Sequence, residues 1–159
     1  MSVLIFADHH NGKFPKGSLE AVSYGNKVAT QLNTDCIAIT YGAINGDGGL
    51  GSAGASKVLK SNLTSASDSQ QLCRVIVAAA QAVNADVVIF AHDIAGKLVA
   101  PRVAARLDAG LVPGATSLPD ADFTVRKNVF SGKAIAELTI LSAKKVITVL
   151  PNSFPLENN

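Results

Sequence analysis

The segment ADVVIFAHDIAGKLVAPRVAARLDAG, residues 85–110, decides the predicted fold. Residues 87–91 form a continuous apolar run without polar alternation, which predicts a strand buried on both faces. The residues that follow have helical spacing, with Val99, Val103 and Leu107 on one face. A buried strand, a short polar turn and a helix make half of a parallel β–α–β unit, so the segment predicts an α/β protein.

The limits of this helix follow from its proline and glycine. A start near Lys97 places Pro101 at about the edge of the first turn, where backbone amides lack helical partners. A kink at Pro101 is the alternative. Gly110 is expected to supply the left-handed residue that ends the helix.

The preceding sequence repeats the pattern of strand and helix. Ser67 and Gln70 form a capping-box pattern at the start of a clear helix. Gly25 lies on the apolar face of the first helix and is expected to allow close approach to the sheet. The predicted elements before residue 85 are strands at Ser2–Asp8, Asp35–Gly42 and Lys57–Lys60, a helix at Ser18–Leu32 and the helix that begins at Ser67.

The pattern changes after Gly110. Residues 123–129 and, in part, 134–140 alternate between polar and apolar, and 145–150 are apolar. No helix-length pattern separates them, so they predict short β segments, some antiparallel, that extend the parallel sheet at one edge. Residues 1–150 are therefore expected to form one α/β domain, and 151–159 a tail or the beginning of a linker.

Composition narrows the functional classes. The chain has 159 residues, of which 48% are hydrophobic, and its mean hydropathy of +0.28 suits a sheet covered on both sides. No apolar run approaches the ~20 residues of a membrane-spanning helix. The first residues lack the pattern of a signal or transit peptide, so none is expected. A net charge of +2 does not favour nucleic-acid binding. Cys36 and Cys73 lie in apolar segments without metal-ligand spacing, which predicts buried, reduced thiols and a cytosolic protein.

Residues 46–51, GDGGLG, match the pattern G-x-G-x-x-G. A dinucleotide fingerprint needs these glycines between the first strand and its helix, whereas here they follow the second strand. The acidic residue expected about twenty positions later is missing, because Asp68 lies in a helix-capping turn. The run is therefore interpreted as a flexible turn.

Ionisable residues follow two strands that are expected to be neighbours where the strand order reverses. Asp8, His9 and His10 end the first strand, and His92 and Asp93 end the fourth. Ligands bind at such crevices, and this cluster has side chains suited to metal binding or acid–base chemistry. The alternative is structural: Asp93 caps a helix, Asp8 closes a turn and the histidines are solvated. We find no nucleophile elbow and no Walker loop.

Several segments together resemble the N-terminal domain of the electron transfer flavoprotein alpha subunit. They occur in the family's order and cover nearly the whole chain. The segments are VLIFADH with NGK (3–9, 11–13), GKLVAPRVAARL (96–107), FTVRKNVFSGKAIA (123–136) and KVITVLPNSF (145–154).

The resemblance implies a three-layer, Rossmann-like fold of the adenine nucleotide alpha hydrolase type, with a mostly parallel sheet and antiparallel edge strands near the C-terminus. It implies an αβ heterodimer that takes electrons from dehydrogenases and passes them through FAD to a quinone-side acceptor in the bacterial cytoplasm. This domain is then a non-catalytic scaffold that packs against the beta subunit. The flavin-binding domain would follow residues 151–155, so no flavin, catalytic or metal residue is assigned to this chain.

Two rival functions use the crevice near Asp8, His9, His92 and Asp93. One is adenine-nucleotide binding of the universal-stress type, which shares the fold order. The glycine-rich phosphate loop expected after the late strand is absent, since residues 94–97 contain one glycine. A weaker rival is a metal-dependent hydrolase at the same place.

Overall fold

The computed structural model describes residues 1–155 and contains eight strands and four helices in that range. The strands are β1 (Ser2–Phe6), β2 (Asp35–Tyr41), β3 (Lys57–Ser61), β4 (Ala85–Ala91), β5 (Gly110–Ala115), β6 (Thr124–Val129), β7 (Ala134–Thr139) and β8 (Lys145–Val149). The helices are α1 (Lys16–Gln31), α2 (Leu50–Ala53), α3 (Ser69–Ala82) and α4 (Ile94–Arg106).

All eight strands form a single sheet in the order β3-β2-β1-β4-β8-β5-β6-β7. Strands β1 to β5 and β8 run parallel, whereas β6 and β7 are antiparallel to their neighbours. The order reverses between β1 and β4, as expected. The predicted mostly parallel α/β fold with antiparallel strands near the C-terminus is confirmed, and β3 lies at the predicted edge.

Successive residues of β1 face opposite layers, which explains its unbroken apolar run. Val3 and Ile5 belong to the core under α1 and α2, whereas Leu4 and Phe6 belong to the core under α3 and α4. Gly25 of α1 allows the predicted close approach, because a Cβ there would overlap Cγ1 of Ile5. The sheet is thus covered on both sides, which makes the fold three-layered.

The position of β8 corrects one expectation. This strand does not extend the sheet at an edge, but lies in the interior between β4 and β5, parallel to both. Its continuous apolar run fits this buried position. The sequence analysis also missed β5, because Pro113 and Gly114 interrupt its pattern; the register with β8 shifts between Val112 and Ala115, where these two residues lie.

Helix α4 begins and ends differently from the prediction. It starts at Ile94, so Pro101 lies in the helix interior rather than in the first turn. Pro101 cannot donate to the carbonyl of Lys97, and both residues are exposed, so solvent can satisfy that carbonyl. The left-handed residue that ends the helix is Asp108, with φ of 52°, and Gly110 instead begins β5. The amide of Ala109 then donates to the carbonyl of Ala104 at 2.8 Å, as in a Schellman motif.

The N-cap of α3 also lies one residue later than predicted. Asp68, not Ser67, is the N-cap, and its Oδ1 accepts the amides of Gln70 and Gln71 at 3.0 and 3.2 Å. An aspartate side chain is as good a cap as serine, and its position next to the first helical residue decides between them.

The segment after β8 packs against α1 as far as Phe154. The ring of Phe154 contacts Tyr24, and the backbone of Asn152 contacts Glu20. Residues 156–159, the end of the predicted tail or linker, lie outside the described residues.

Candidate functional site

The predicted crevice lies where β1 and β4 end side by side. Open α/β sheets bind ligands at such a reversal point, so the side chains placed there are the first to consider. The structure shows that the predicted residues do not converge on one pocket. Asp8 and His9 face the end of β2, His92 faces β8 and β5, and Asp93 caps α4.

His9 is a buried structural residue, with 8% of its surface exposed, so the expectation of a solvated side chain is wrong here. Its Nδ1 accepts the amide of Gly12 at 3.0 Å, and its Nε2 lies 2.6 Å from the carbonyl oxygen of Tyr41. Since a carbonyl oxygen only accepts, Nε2 must carry the proton. Both nitrogens are therefore occupied in holding the turn after β1 against β2.

Asp8 forms a short hydrogen bond with the end of β2. The hydroxyl of Tyr41 donates to Oδ1 of Asp8 at 2.5 Å, and the amide of His9 donates to the same oxygen at 2.8 Å. Burial, followed by this bond and the charge of Asp8, raises the pKa of Tyr41 above its usual value. Asp8 thus closes the turn, as the structural alternative predicted.

Asp93 caps α4, which also agrees with that alternative. Its Oδ1 accepts the amide of Gly96 at 2.8 Å. Burial raises the pKa of this carboxyl, and the negative charge of Asp8 adds to the effect, although the Gly96 amide opposes it. A Cβ at Gly96 would overlap the carbonyl oxygen of Ala91, so only glycine fits in this first turn.

The hydroxyl of Thr148 in β8 contacts both His92, at the end of β4, and Gly114 in β5. Thr148 Oγ1 in β8 accepts the amide of Gly114 in β5 at 2.8 Å and lies 2.8 Å from Nδ1 of His92. The Gly114 amide occupies one lone pair of this hydroxyl, so Oγ1 can still either donate to Nδ1 or accept from it, depending on which ring nitrogen of His92 carries the proton. Burial lowers the pKa of His92, and the charges of Lys97 and Lys127 lower it further.

A cavity of about 510 Å³ lies beside the crevice, over the ends of β1, β2 and β3. Of the residues predicted at the crevice, His9 and His10 line it, and the ring of His9 is already bonded on both nitrogens. The other lining groups were not predicted as site residues, although Tyr41 lies at the end of a predicted strand. The lining residues are His9, His10, Asn11, Tyr41, Gly42, Ala43, Thr64 and Ser65.

The glycine-rich run does not offer its amides to a phosphate. The amides of Gly49 and Gly51 donate to the two carboxylate oxygens of Asp47, each at 3.0 Å. These bonds lower the pKa of Asp47, so the loop holds its own negative charge where a phosphate would be bound. The loop therefore does not fit the diphosphate of FAD or of another dinucleotide.

A different surface is apolar and exposed. The hairpin of β6 and β7 ends the sheet, and β6 joins it to the rest of the domain through the pairing of Ala115 with Lys127 and the buried side chain of Val125. The backbone of Arg126 adds hydrogen bonds to Thr116 and Ser117. β7 is an edge strand, and no strand within residues 1–155 pairs with its outer side. Large apolar side chains on or next to the hairpin are exposed: Phe130 by 79%, Ile135 by 66%, Leu138 by 38% and Leu141 by 92%. Ile135 and Leu138 are three positions apart in β7, so they lie on opposite faces of the hairpin. We call these four residues, which cover both faces and the ends of the hairpin, the hairpin patch.

Other classes of site find little support in the described part of the chain. Residues 1–155 contain no group of three or more His, Cys, Asp or Glu side chains placed to hold a metal ion. Within the same range, no helix has both the length and the apolar character needed to span a bilayer. Cys36 and Cys73 are buried and free, as predicted, and burial raises the pKa of the Cys36 thiol to about 12.

Comparisons with known proteins agree with the resemblance stated from the sequence. The profile of the electron transfer flavoprotein domain matches residues 3–159. The chain is 28% identical to an electron transfer flavoprotein subunit alpha of Clostridium acetobutylicum, over 96% of this chain and 48% of that protein. It is 27% identical to the protein FixB of Clostridium saccharobutylicum, over 98% of this chain and 49% of that protein.

A fungal relative gives the same result. The chain is 28% identical to a probable mitochondrial electron transfer flavoprotein subunit alpha of Cryptococcus neoformans, over 97% of this chain and 46% of that protein. The chain thus spans about half the length of the curated relatives it matches. It belongs to the electron transfer flavoprotein domain family.

Proposed function

We propose that this chain is the N-terminal scaffold and subunit-interaction domain of an electron transfer flavoprotein alpha subunit, with no catalytic group of its own. In the complete complex FAD carries the electrons from dehydrogenases to a quinone-side acceptor in the bacterial cytoplasm. The part assigned to this chain is to present a rigid α/β surface to the beta subunit and to support the flavin-binding domain.

The observation that carries this proposal is the hairpin patch. Its apolar side chains are exposed next to an unpaired strand edge, and soluble proteins rarely leave such a combination uncovered. The names of the relatives speak of a subunit, which supports a second chain as the occupant. The hydrogen bonds at the crevice support the scaffold role, because its His and Asp side chains are bonded to backbone and hydroxyl groups of the domain itself.

The test is the affinity of this chain for the beta subunit from the same organism. Ile135→Glu places a charge beside Glu137 in the hairpin patch, and we expect it to weaken binding by at least about tenfold. Ile94→Glu is the matched control, because Ile94 is 80% exposed but lies on α4. Equal affinity for wild type and Ile135→Glu would contradict the assignment of the hairpin patch, and no binding by wild type would contradict the subunit-interaction role itself.

A second candidate function, adenine-nucleotide binding, is favoured by the cavity over β1, β2 and β3. Its volume of about 510 Å³ lies in the range of small-molecule sites. Against it, the Gly49 and Gly51 amides of the nearby glycine-rich loop already donate to the carboxylate of Asp47, so they are not free to bind the phosphates of a nucleotide. Calorimetric titration with ATP and AMP separates the two: we expect no binding heat, and tight binding would favour the nucleotide function.

A further inference from the structure

Helix α1 carries a buried carboxylate that the proposed function does not use. Glu20 is 1% exposed, and its Oε2 accepts the backbone amide of Asn152 at 2.9 Å. Its Oε1 forms an ion pair with Nζ of Lys16 at 3.3 Å but accepts no hydrogen bond from residues 1–155. A buried carboxylate is unfavourable unless donors surround it, so the amide of Asn152 is an important partner for Glu20.

The same helix contacts Asn152 a second time. Nζ of Lys16 donates to the side-chain Oδ1 of Asn152 at 3.1 Å. The side chain and the backbone amide of Asn152 are therefore bound by Lys16 and Glu20, which are one helical turn apart on α1. Asn152 itself has φ of 62°, a left-handed conformation, and the amide of Ser153 donates to the carbonyl of Leu150 at 3.3 Å. The chain therefore turns sharply after β8 at the point where α1 contacts it.

A third contact lies one turn further along α1. The ring of Phe154 packs edge-on against the buried ring of Tyr24, with centroids 4.8 Å apart and planes at 77°. The hydroxyl of Tyr24 donates to the carbonyl of Ser117 at 2.9 Å, which fixes the ring. Lys16, Glu20 and Tyr24 are spaced by four residues and so lie on one face of α1.

We propose that Lys16, Glu20 and Tyr24 form a clamp on α1 that holds residues 150–154 and sets the direction in which the chain leaves the sheet. Release of the segment removes the backbone donor from Glu20 while the surrounding core stays in place, which disfavours the released state. Phe154 loses its ring partner in the same step. The clamp goes beyond the proposed function, because it acts within this chain whatever partner the hairpin patch binds.

Amide hydrogen exchange of the full 159-residue chain tests the clamp. We expect the amide of Asn152 to be protected in the wild type, and Glu20→Ala and Phe154→Ala each to raise its exchange rate by at least about tenfold. The rate at Ile89, in the central strand β4, reports global unfolding and is expected to change less than the rate at Asn152. Thr30→Ala is the control on the same helix, because Thr30 is exposed and its hydroxyl donates to the carbonyl of Asn26 within α1.

Each outcome decides the proposal. Selective acceleration at Asn152 in both variants, with no such change in Thr30→Ala, supports the clamp. The two variants contact the segment at different points, so a folding defect in Glu20→Ala still leaves Phe154→Ala as a test. An unprotected Asn152 amide in the wild type, or equal acceleration at Asn152 and Ile89 in the variants, would overturn the clamp without bearing on binding to the beta subunit.

Discussion

The imidazole of His92, at the end of β4, is hydrogen-bonded to the hydroxyl of Thr148 in the neighbouring strand β8, with Nδ1 and Oγ1 2.8 Å apart. The same hydroxyl oxygen accepts the amide of Gly114 in β5. One side chain thereby fixes the orientation of the ring and ties β5 to β8 near the shift in their register.

The first prediction concerns the pKa of His92. With the Thr148 hydroxyl as the donor to Nδ1, the bond favours the neutral ring, so Thr148→Val is expected to raise the pKa of His92 relative to wild type. Thr148→Ser keeps the hydroxyl and is expected to leave the pKa nearly unchanged. NMR titration of the His92 ring measures both. An unchanged or lower pKa in Thr148→Val would show that the hydroxyl does not act as the donor.

The second prediction is the pH dependence of stability. Because the folded-state pKa of His92 is lowered, the unfolded chain takes up this proton first as the pH falls through its ordinary value of 6.5. His92 therefore contributes stability that is present above pH 6.5 and is lost between 6.5 and its folded pKa. We expect His92→Asn to flatten urea-unfolding free energies over this range. A wild-type slope retained in the variant would contradict the prediction.

Asp93 acts with the opposite sign and at lower pH. Its folded-state pKa is raised, so the folded protein takes up this proton first as the pH falls toward the ordinary value of 3.8. Its ionised form is therefore slightly destabilising above that window, and its protonation does not account for a loss of stability near pH 6. The two groups are separable by the pH range in which each acts.

The third prediction concerns the cap of α4. Asp93→Ala removes the acceptor for the Gly96 amide, and we expect a loss of about 1 kcal/mol in the free energy of unfolding at pH 7. Asp93→Asn keeps an acceptor and removes a buried charge, so its loss is expected to stay below about 0.5 kcal/mol. Chemical denaturation measures both variants. Equal losses would mean that the carboxylate charge, rather than the cap, is the stabilising feature.

The fourth prediction compares two glycines of α1. A Cβ at Gly25 would overlap Ile5, and we expect Gly25→Ala to cost about 1–3 kcal/mol. A Cβ at Gly17 would meet nothing beyond its own helix within 4 Å, so Gly17→Ala is expected to gain up to about 1 kcal/mol. Thermal and urea unfolding measure the pair. A neutral Gly25→Ala would contradict the close packing of α1 on β1.

The fold was predictable because its strands and helices differ in hydrophobic period. The apolar runs of β1 and β4 require burial on both faces, which helices on two sides of a parallel sheet provide. The place of β8 was not predictable in this way, since an apolar run does not reveal its neighbours. Insertion of β8 beside β4 depends on pairing between residues far apart in the sequence, as between Val87 and Lys145.

Local capping was predictable only in part. The role of Asp93 as an N-cap was predictable from its place before a helix. The end of α4 was predicted at Gly110 because glycine is the commonest left-handed residue at a helix end. Asp108 takes that conformation instead, which aspartate tolerates better than most residues. The burial of His9 could not be anticipated, because its partners are backbone groups of Gly12 and Tyr41.

The proposed scaffold role means that this domain supports a flavin held by other parts of the complex, and flavin binding by the chain itself tests that role most directly. The purified 159-residue chain is incubated with FAD, separated from free flavin by gel filtration, and its visible absorbance compared with its protein absorbance. We predict a colourless, folded protein without bound flavin. A yellow complex with one flavin per chain would contradict the account.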